Sequence, residues 1–166
     1  VIGAGYWGKN LIRVFNGLPG TDVRLICDKD ERKFSGIQAH YPHLRATTNS
    51  EDIFRNETID AVLIATPVST HYTLARRALQ EDKHVWIEKP MTTTVKEAVT
   101  LQKMSDEKKR VLLVDHTFLY TPAVRKMKEI IERGELAEIR YLDSERINLG
   151  LIQPDVNVVY DLATHD

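Results

Sequence analysis

One cysteine, Cys27, in 166 residues excludes an internal disulfide, and with it the stapled scaffolds of small secreted domains. No apolar run approaches the roughly 18 residues of a membrane span, and no secretory leader pattern is visible. Neither sign of charge dominates. The 23 basic and 24 acidic residues leave a formal net charge of −1, so no electrostatic footprint for nucleic acid stands out. Internal repeats and low-complexity tracts are missing too. Together these absences point to the reducing cytoplasm, with neither nucleic acid nor a membrane as partner. The length allows one full domain and part of another.

What is present begins at once. Val1-Ile2-Gly3-Ala4-Gly5-Tyr6-Trp7-Gly8 reads as a strand end running into a turn of the form G-x-G-x-x-G. Gly3 suits the tight turn, Gly5 a close backbone approach to a pyrophosphate, and Gly8 the packing of the next helix on the sheet. That helix is predicted from Trp7 through Phe15, its amino end aimed at the phosphates. A turn at Leu18-Pro19-Gly20 leads to a strand, Asp22 to Cys27, that ends in Asp28. Twenty residues beyond Gly8, Asp28 stands where a carboxylate takes the adenosine ribose hydroxyls. A second reading makes it the cap of the helix over 30–34. A carboxylate at the ribose would repel a 2′-phosphate, which favours NAD over NADP, although Lys29 lies beside it.

Apolar strands then alternate with helical patterns, as expected for βαβ units and a parallel sheet. Strands are predicted near Leu44–Thr47, at Ala61–Ala65, His84–Ile87 and Val111–Val114. The run Ala61–Ala65 is continuously apolar, as burial on both faces requires. Helices are predicted at 51–54 with Ser50 as cap, from about Ser69 with Leu74, Ala75, Ala78 and Leu79 on one face, and over 94–108. A further helix is capped by Thr121, started by Pro122 and stopped by Gly134, with Val124, Met127, Ile130 and Ile131 as its buried stripe. The domain boundary is placed near Gly134. Residues 138–149 read as a long strand that opens a second sheet, and a helix starts near Asp155 or Asn157.

Ligands of open parallel sheets bind outside the carboxyl ends of the strands. Thr66-Pro67 and Glu88-Lys89-Pro90 fall there with the glycine turn and Asp28. Thr66-Pro67 is either a cofactor contact or a plain strand-to-helix turn, and Glu88-Lys89 either an active-edge pair or a solvated one. Asp161 and His165, four apart, would share a helix face, as an oriented acid–base pair or as a surface pair. Arg146 and Asn148 share a strand face, as solvated positions or as contacts to a polar substrate. His116, Phe118 and Tyr120 are candidate pocket walls, with Phe118 the one read as core. His40 and His43 lack a ligand set, so no metal is expected. Only two residues precede Gly3 and the chain stops inside a predicted helix, so a segment of a longer protein is expected.

Val1-Ile2-Gly3-Ala4-Gly5-x-x-Gly8, Ala65-Thr66-Pro67 with His71, Glu88-Lys89-Pro90 and Asp161-x-x-x-His165 follow one another in this order. In this the chain resembles the glucose–fructose oxidoreductase/inositol dehydrogenase (Gfo/Idh/MocA) family across its whole length. The family commonly has glycine where this chain has Ala163. The resemblance implies an α/β fold: a doubly wound Rossmann sheet over 1–134 that binds NAD(P), then over 135–166 the truncated start of a second α/β domain with a large open sheet. It implies hydride transfer between nicotinamide and a carbinol carbon of a sugar, cyclitol or nucleotide-linked sugar, with homo-oligomers formed through the second domain. It assigns Lys89, Asp161 and His165 to catalysis. To the cofactor it assigns Gly3, Gly5, Tyr6, Trp7, Gly8, Asp28, Thr66, Pro67, His71, Glu88 and Lys89, with NAD expected before NADP. A non-catalytic nucleotide sensor would need the glycine turn and Asp28 but neither Lys89 nor His165. A methyltransferase gives no reason for Glu88-Lys89-Pro90 followed by Asp161-x-x-x-His165.

Overall fold

Along each strand, neighbouring side chains leave for opposite faces of the sheet, and here both faces are covered. In the computed structural model, which describes residues 1–145 and 157–163, strands β1 (Leu25–Cys27), β2 (Arg45–Thr47), β3 (Ala61–Ile64), β4 (His84–Ile87) and β5 (Leu112–Val114) all run parallel. β1 pairs with β2 in the register Leu25 to Arg45, β3 with β4 in Ile64 to Ile87, and β4 with β5 in Ile87 to Val114. The leading segment Val1–Ile2 lies between the two groups, bridging Cys27 on one side and Ile64 on the other. Counted from that segment, the strand order is 3-2-1-4-5-6, and it reverses at the segment itself.

Ile2, Leu25, Cys27, Val62, Ile64, Val85 and Ile87 face one apolar cluster with Ala75, Ala78, Leu79 and Leu101. Those partners come from helices α4 (His71–Gln80) and α5 (Val95–Lys108). Val1, Ile26 and Leu63 face the other cluster with Leu11, Ile12, Phe34 and Ile37, supplied by α1 (Tyr6–Gly17) and α2 (Phe34–His40). Two clusters explain why Val62-Leu63-Ile64 is apolar without alternation. Each such buried side chain contributes about 1.5–3 kcal/mol over an exposed one.

Most predicted elements form within a residue or two of their expected limits, but the caps differ. Helix α3 (Glu51–Phe54) receives no side-chain cap from Ser50, whose backbone is already helical at φ −63° and ψ −21°. Asn49, one residue earlier, accepts the Glu51 N–H at 3.1 Å instead. The 3-10 turn Glu31–Lys33 ahead of α2 is capped by Asp30, whose carboxylate accepts from the Arg32 N–H. Thr94, read from the sequence as the start of the helix, is the N-cap of α5 and accepts from the Glu97 N–H at 3.2 Å.

The chain divides into two compact units, Val1–Val114 and Asp115–Asp166. The second holds a 3-10 turn at Thr117–Tyr120, then α6 (Pro122–Glu132) and α7 (Val158–Leu162). Thr121 precedes α6, but its hydroxyl donates back to the Phe118 carbonyl at 2.8 Å rather than capping the helix. The expected buried stripe of α6 is not buried: Val124 and Ile130 are half-buried, while Met127 and Ile131 are exposed. Phe118 is exposed as well, not core. The strand expected over 138–149 is absent from 138–145, and its remainder lies outside the described residues. One cause covers both departures. A strand needs a partner for its N–H and C=O groups, an amphipathic helix needs a surface to cover, and no strand forms among the described residues of this unit. Asn157 does cap α7, accepting the Tyr160 N–H at 3.1 Å.

The cap shift is open to measurement by urea unfolding of the single variants. Asn49→Ala is expected to lower stability by about 1 kcal/mol, and Ser50→Ala to stay within about 0.5 kcal/mol of the parent.

Candidate functional site

Open α/β sheets bind ligands outside the carboxyl ends of the strands where strand order reverses, and the glycine turn stands at that point, at the end of the leading segment. Its three glycines answer to three different surroundings. Gly3 has φ +96°, and a Cβ there would collide with the Ala65 carbonyl at the end of β3. At Gly8 a Cβ would collide with the Gly3 carbonyl, so only glycine lets α1 start against the turn. At Gly5 a Cβ would meet nothing within 4 Å. The space above Gly5 is where a ligand can come close to the backbone.

Gly5 is also the N-cap of α1 and supplies no side chain to the helix end. The first intrahelical bond runs from the Lys9 N–H to the Gly5 carbonyl at 3.1 Å, so the N–H groups before Lys9 precede the ladder. No acidic residue occupies that first turn. Twelve residues of α1 therefore present positive partial charge beside open space, which fits a pyrophosphate. Tyr6 and Trp7 are exposed and pack edge to face, ring centroids 5.2 Å apart. The exposed Trp7 ring thus stands at the mouth of the turn.

Asp28 follows β1 and is bound into the turn. Its Oδ2 accepts the Ala4 N–H at 2.8 Å and its Oδ1 the Asp30 N–H at 2.9 Å. Lys33 Nζ reaches both oxygens, at 3.1 and 2.9 Å. Burial works to raise the Asp28 pKa, but the Asp30 and Ala4 N–H groups and the Lys33 ammonium outweigh it. The carboxyl is held below its ordinary range, ionised at neutral pH. Capping the next helix is not its role, since Asp30 does that. Lys33 escaped the sequence reading. The signal was a cation five residues beyond the strand-end acid, and only the turn between them brings the two together.

Thr66-Pro67 and Glu88-Lys89-Pro90 sit at the carboxyl ends of β3 and β4, on the same edge as the glycine turn. The Glu88 N–H extends the ladder to the Ile64 carbonyl at 3.0 Å, and the Lys89–Pro90 peptide is cis. Glu88 is buried, and Lys89 and Thr66 are half-buried. The Thr70 hydroxyl lies 2.7 Å from both Thr66 Oγ1 and the Pro67 carbonyl, closing the first of these turns.

His71 stands beneath both turns, 1 % exposed. Its Nε2 is 2.8 Å from the Thr66 carbonyl and its Nδ1 2.9 Å from the Pro90 carbonyl. A neutral ring donates to one of these oxygens, and the doubly protonated ring donates to both. Either way the imidazole ties the end of β3 to the end of β4. In the second unit Asp161 is half-buried on α7. His165, Arg146 and Asn148 lie outside the described residues.

A parallel sheet of order 3-2-1-4-5-6, a glycine turn at its switch point and an acid after the next strand define a dinucleotide-binding Rossmann domain. The comparisons carry this to a family. Residues 1–116 match the model described as an oxidoreductase family with an NAD-binding Rossmann fold, and the chain belongs to this family, Gfo/Idh/MocA. It is 30% identical over 178 residues to the uncharacterized oxidoreductase YdgJ of Escherichia coli, covering 99% of this chain and 50% of that protein. It is 37% identical over 111 residues to a UDP-N-acetylglucosamine 3-dehydrogenase of Acidithiobacillus ferrooxidans, covering 65% of this chain and 34% of the other. Among solved structures, GenD2 from gentamicin A biosynthesis, in complex with NAD, superposes with a TM-score of 0.76 at 27% identity, over 81% of this chain and 38% of that one. The chain thus spans half or less of these relatives.

The glycines give a test that separates folding from binding. Gly3→Ala and Gly8→Ala are expected to lower the melting temperature, because a Cβ has no room at either. Gly5→Ala, with ordinary φ −77°, is expected to leave it within a few degrees and to weaken nucleotide binding at least about tenfold by filling the approach. Asp28 gives a second. Its folded-state pKa is depressed, so the stability it contributes over Asp28→Asn is present in full above about pH 4 and lost as pH falls through the lower folded-state value. Denaturant titrations of the two proteins between pH 7 and pH 2 should converge at the acid end.

Proposed function

We propose that the complete protein is an NAD(P)-dependent dehydrogenase acting on a CH–OH carbon of a sugar, cyclitol or nucleotide-linked sugar, with NAD the preferred cofactor. The observation that carries this reading is one edge of one sheet. The glycine turn, Asp28, Thr66-Pro67 and Glu88-Lys89-Pro90 all stand at the carboxyl ends of the strands around the switch point. The family and the UDP-N-acetylglucosamine 3-dehydrogenase relative support the substrate class.

In this reading the N–H groups at the start of α1 hold the pyrophosphate, and Asp28 receives the ribose hydroxyls. When bound, the nicotinamide supplies the hydride acceptor or donor. Lys89 presents an ammonium that stabilises developing negative charge on the substrate oxygen. His165 takes the hydroxyl proton during oxidation, and Asp161 orients the imidazole and raises its proton affinity. His71 bonds the Thr66 and Pro90 carbonyls and keeps both turns in place, so its part at the cofactor edge is positioning. Residues 135–166 open a second domain that completes the substrate site and forms the oligomer.

Turnover of the complete protein with sugars and nucleotide sugars, followed by reduction of the nicotinamide, tests the assignment. Lys89→Ala and His165→Ala are each expected to lower kcat by about two to four powers of ten while nucleotide binding survives. Unaltered turnover in either variant would remove that residue from the chemistry.

A further inference from the structure

Two backbone carbonyls at the cofactor edge share one ring. His71 Nε2 lies 2.8 Å from the Thr66 oxygen and Nδ1 2.9 Å from the Pro90 oxygen, both inside the range of an N–H···O bond. A carbonyl oxygen only accepts, so each of these bonds needs a proton on the ring. An imidazolium carries both. A neutral ring spans the same gap with one bond and one lone pair set against an oxygen, a weaker tie. The ring is buried, and a buried cation is tolerated where its donors are used and a carboxylate is near. Both nitrogens are used here, and Glu88, itself buried, follows β4 two residues before Pro90. Of the other titratable groups on the surrounding elements, Lys89 follows Glu88, Tyr72 is next on α4, and Glu97 of α5 takes the Thr93 hydroxyl at 3.0 Å. Further along α4, Arg76 is exposed and Arg77 is held by Glu51 and Glu81. The end of β3 from Ala65 to Pro67 and the 3-10 turn Val68–Thr70 carry no charge.

Resting on the dehydrogenase reading above, we propose that His71 is a proton-operated clamp on the cofactor edge. As an imidazolium it holds the Thr66 and Pro90 carbonyls together, and on losing a proton to water it slackens on one of them. Lys89 feels the change through the chain. Pro90 follows it directly, with φ fixed by the proline ring, so the hold on the Pro90 carbonyl limits where Lys89 stands. His71 is thus a positioning residue whose charge governs how well the lysine is placed. For oxidation, kcat rises with pH as His165 gives up its proton to become the base, then falls as His71 loses its own. No bond between heavy atoms changes, and the only transfer is the ring proton to solvent.

Two measurements on the complete protein test this. Neutron diffraction from wild-type crystals at neutral pH shows ring hydrogens directly and needs no variant to fold; both His71 nitrogens should carry one. The second is turnover with the nicotinamide nucleotide and a sugar or nucleotide sugar, followed across pH for wild type and His71→Gln. Glutamine donates but does not titrate. Its kcat should be about ten- to a hundredfold lower, the scale of a small misplacement at the chemistry, with the Kd for the nucleotide moving far less. The fall in kcat toward high pH should be gone, whereas loss of a merely structural histidine would lower kcat alike at every pH. Hydrogen on one nitrogen only, or a high-pH fall that persists in His71→Gln, overturns the proposal and leaves the dinucleotide reading intact. If the wild type binds no nicotinamide nucleotide, the reading falls and the proposal with it.

Discussion

Three residues of backbone hold the first unit together. Val1 to Gly3 pair on one side with Cys27, through bonds of 2.8 Å from Gly3 N–H to its carbonyl and from its own N–H to the Val1 carbonyl. On the other side the Ile2 N–H donates to Leu63 and the Ile2 carbonyl accepts from Ala65, again at 2.8 Å. Without this segment the sheet would be two separate pieces, β1 with β2 and β3 with β4 and β5. Both apolar clusters depend on it as well, since Ile2 enters one and Val1 the other.

The same residues decide where a ligand can go. A strand bonded on both sides must leave the sheet between its neighbours, and the ends of those neighbours crowd its exit. Ala65 is the crowding group at Gly3, and the carbonyl of Gly3 in turn crowds Gly8. Relief comes only at Gly5, where the backbone is uncovered and the helix begins. Asp28 braces the arrangement from the flank, because one of its oxygens holds the Ala4 N–H inside the turn. On the opposite flank His71 does the comparable work, spanning the carbonyls that end β3 and β4. The site is thus framed by groups that bond to backbone, which keeps its edge in place independently of what binds there.

How much of this was legible in the chain divides along physical lines. Buried parallel strands show as short apolar runs, and His84–Ile87 was readable to the residue because both faces of β4 meet apolar clusters. Helix caps were harder. Ser50 and Asn49 are both good capping residues, and the choice between them turns on one backbone torsion that composition does not reveal. Thr121 does not cap either: its hydroxyl donates to the Phe118 carbonyl, and its oxygen accepts no N–H of the first turn. The expected stripe on α6 and the strand expected over 138–149 presuppose surfaces that are not among the described residues of their unit. Periodicity states that a face is apolar and is silent on what it will meet.

At the site itself, the order glycine turn, strand, acid was local information, so the sequence by itself determined the Rossmann reading and the family resemblance that the comparisons bear out. Local spacing suffices there because a turn, a helix start and a strand end are each built from neighbours in the chain. What only the tertiary structure decided involves groups far apart in sequence or aimed through space. His71, which the resemblance assigns to the cofactor, bonds the Thr66 carbonyl and that of Pro90, nineteen residues away. Asp28 was read as open to a ribose, yet Lys33 already lies on it. Hydrogen-bond partners are allotted by distance after the strands have come together, and no pattern along the chain carries that allotment.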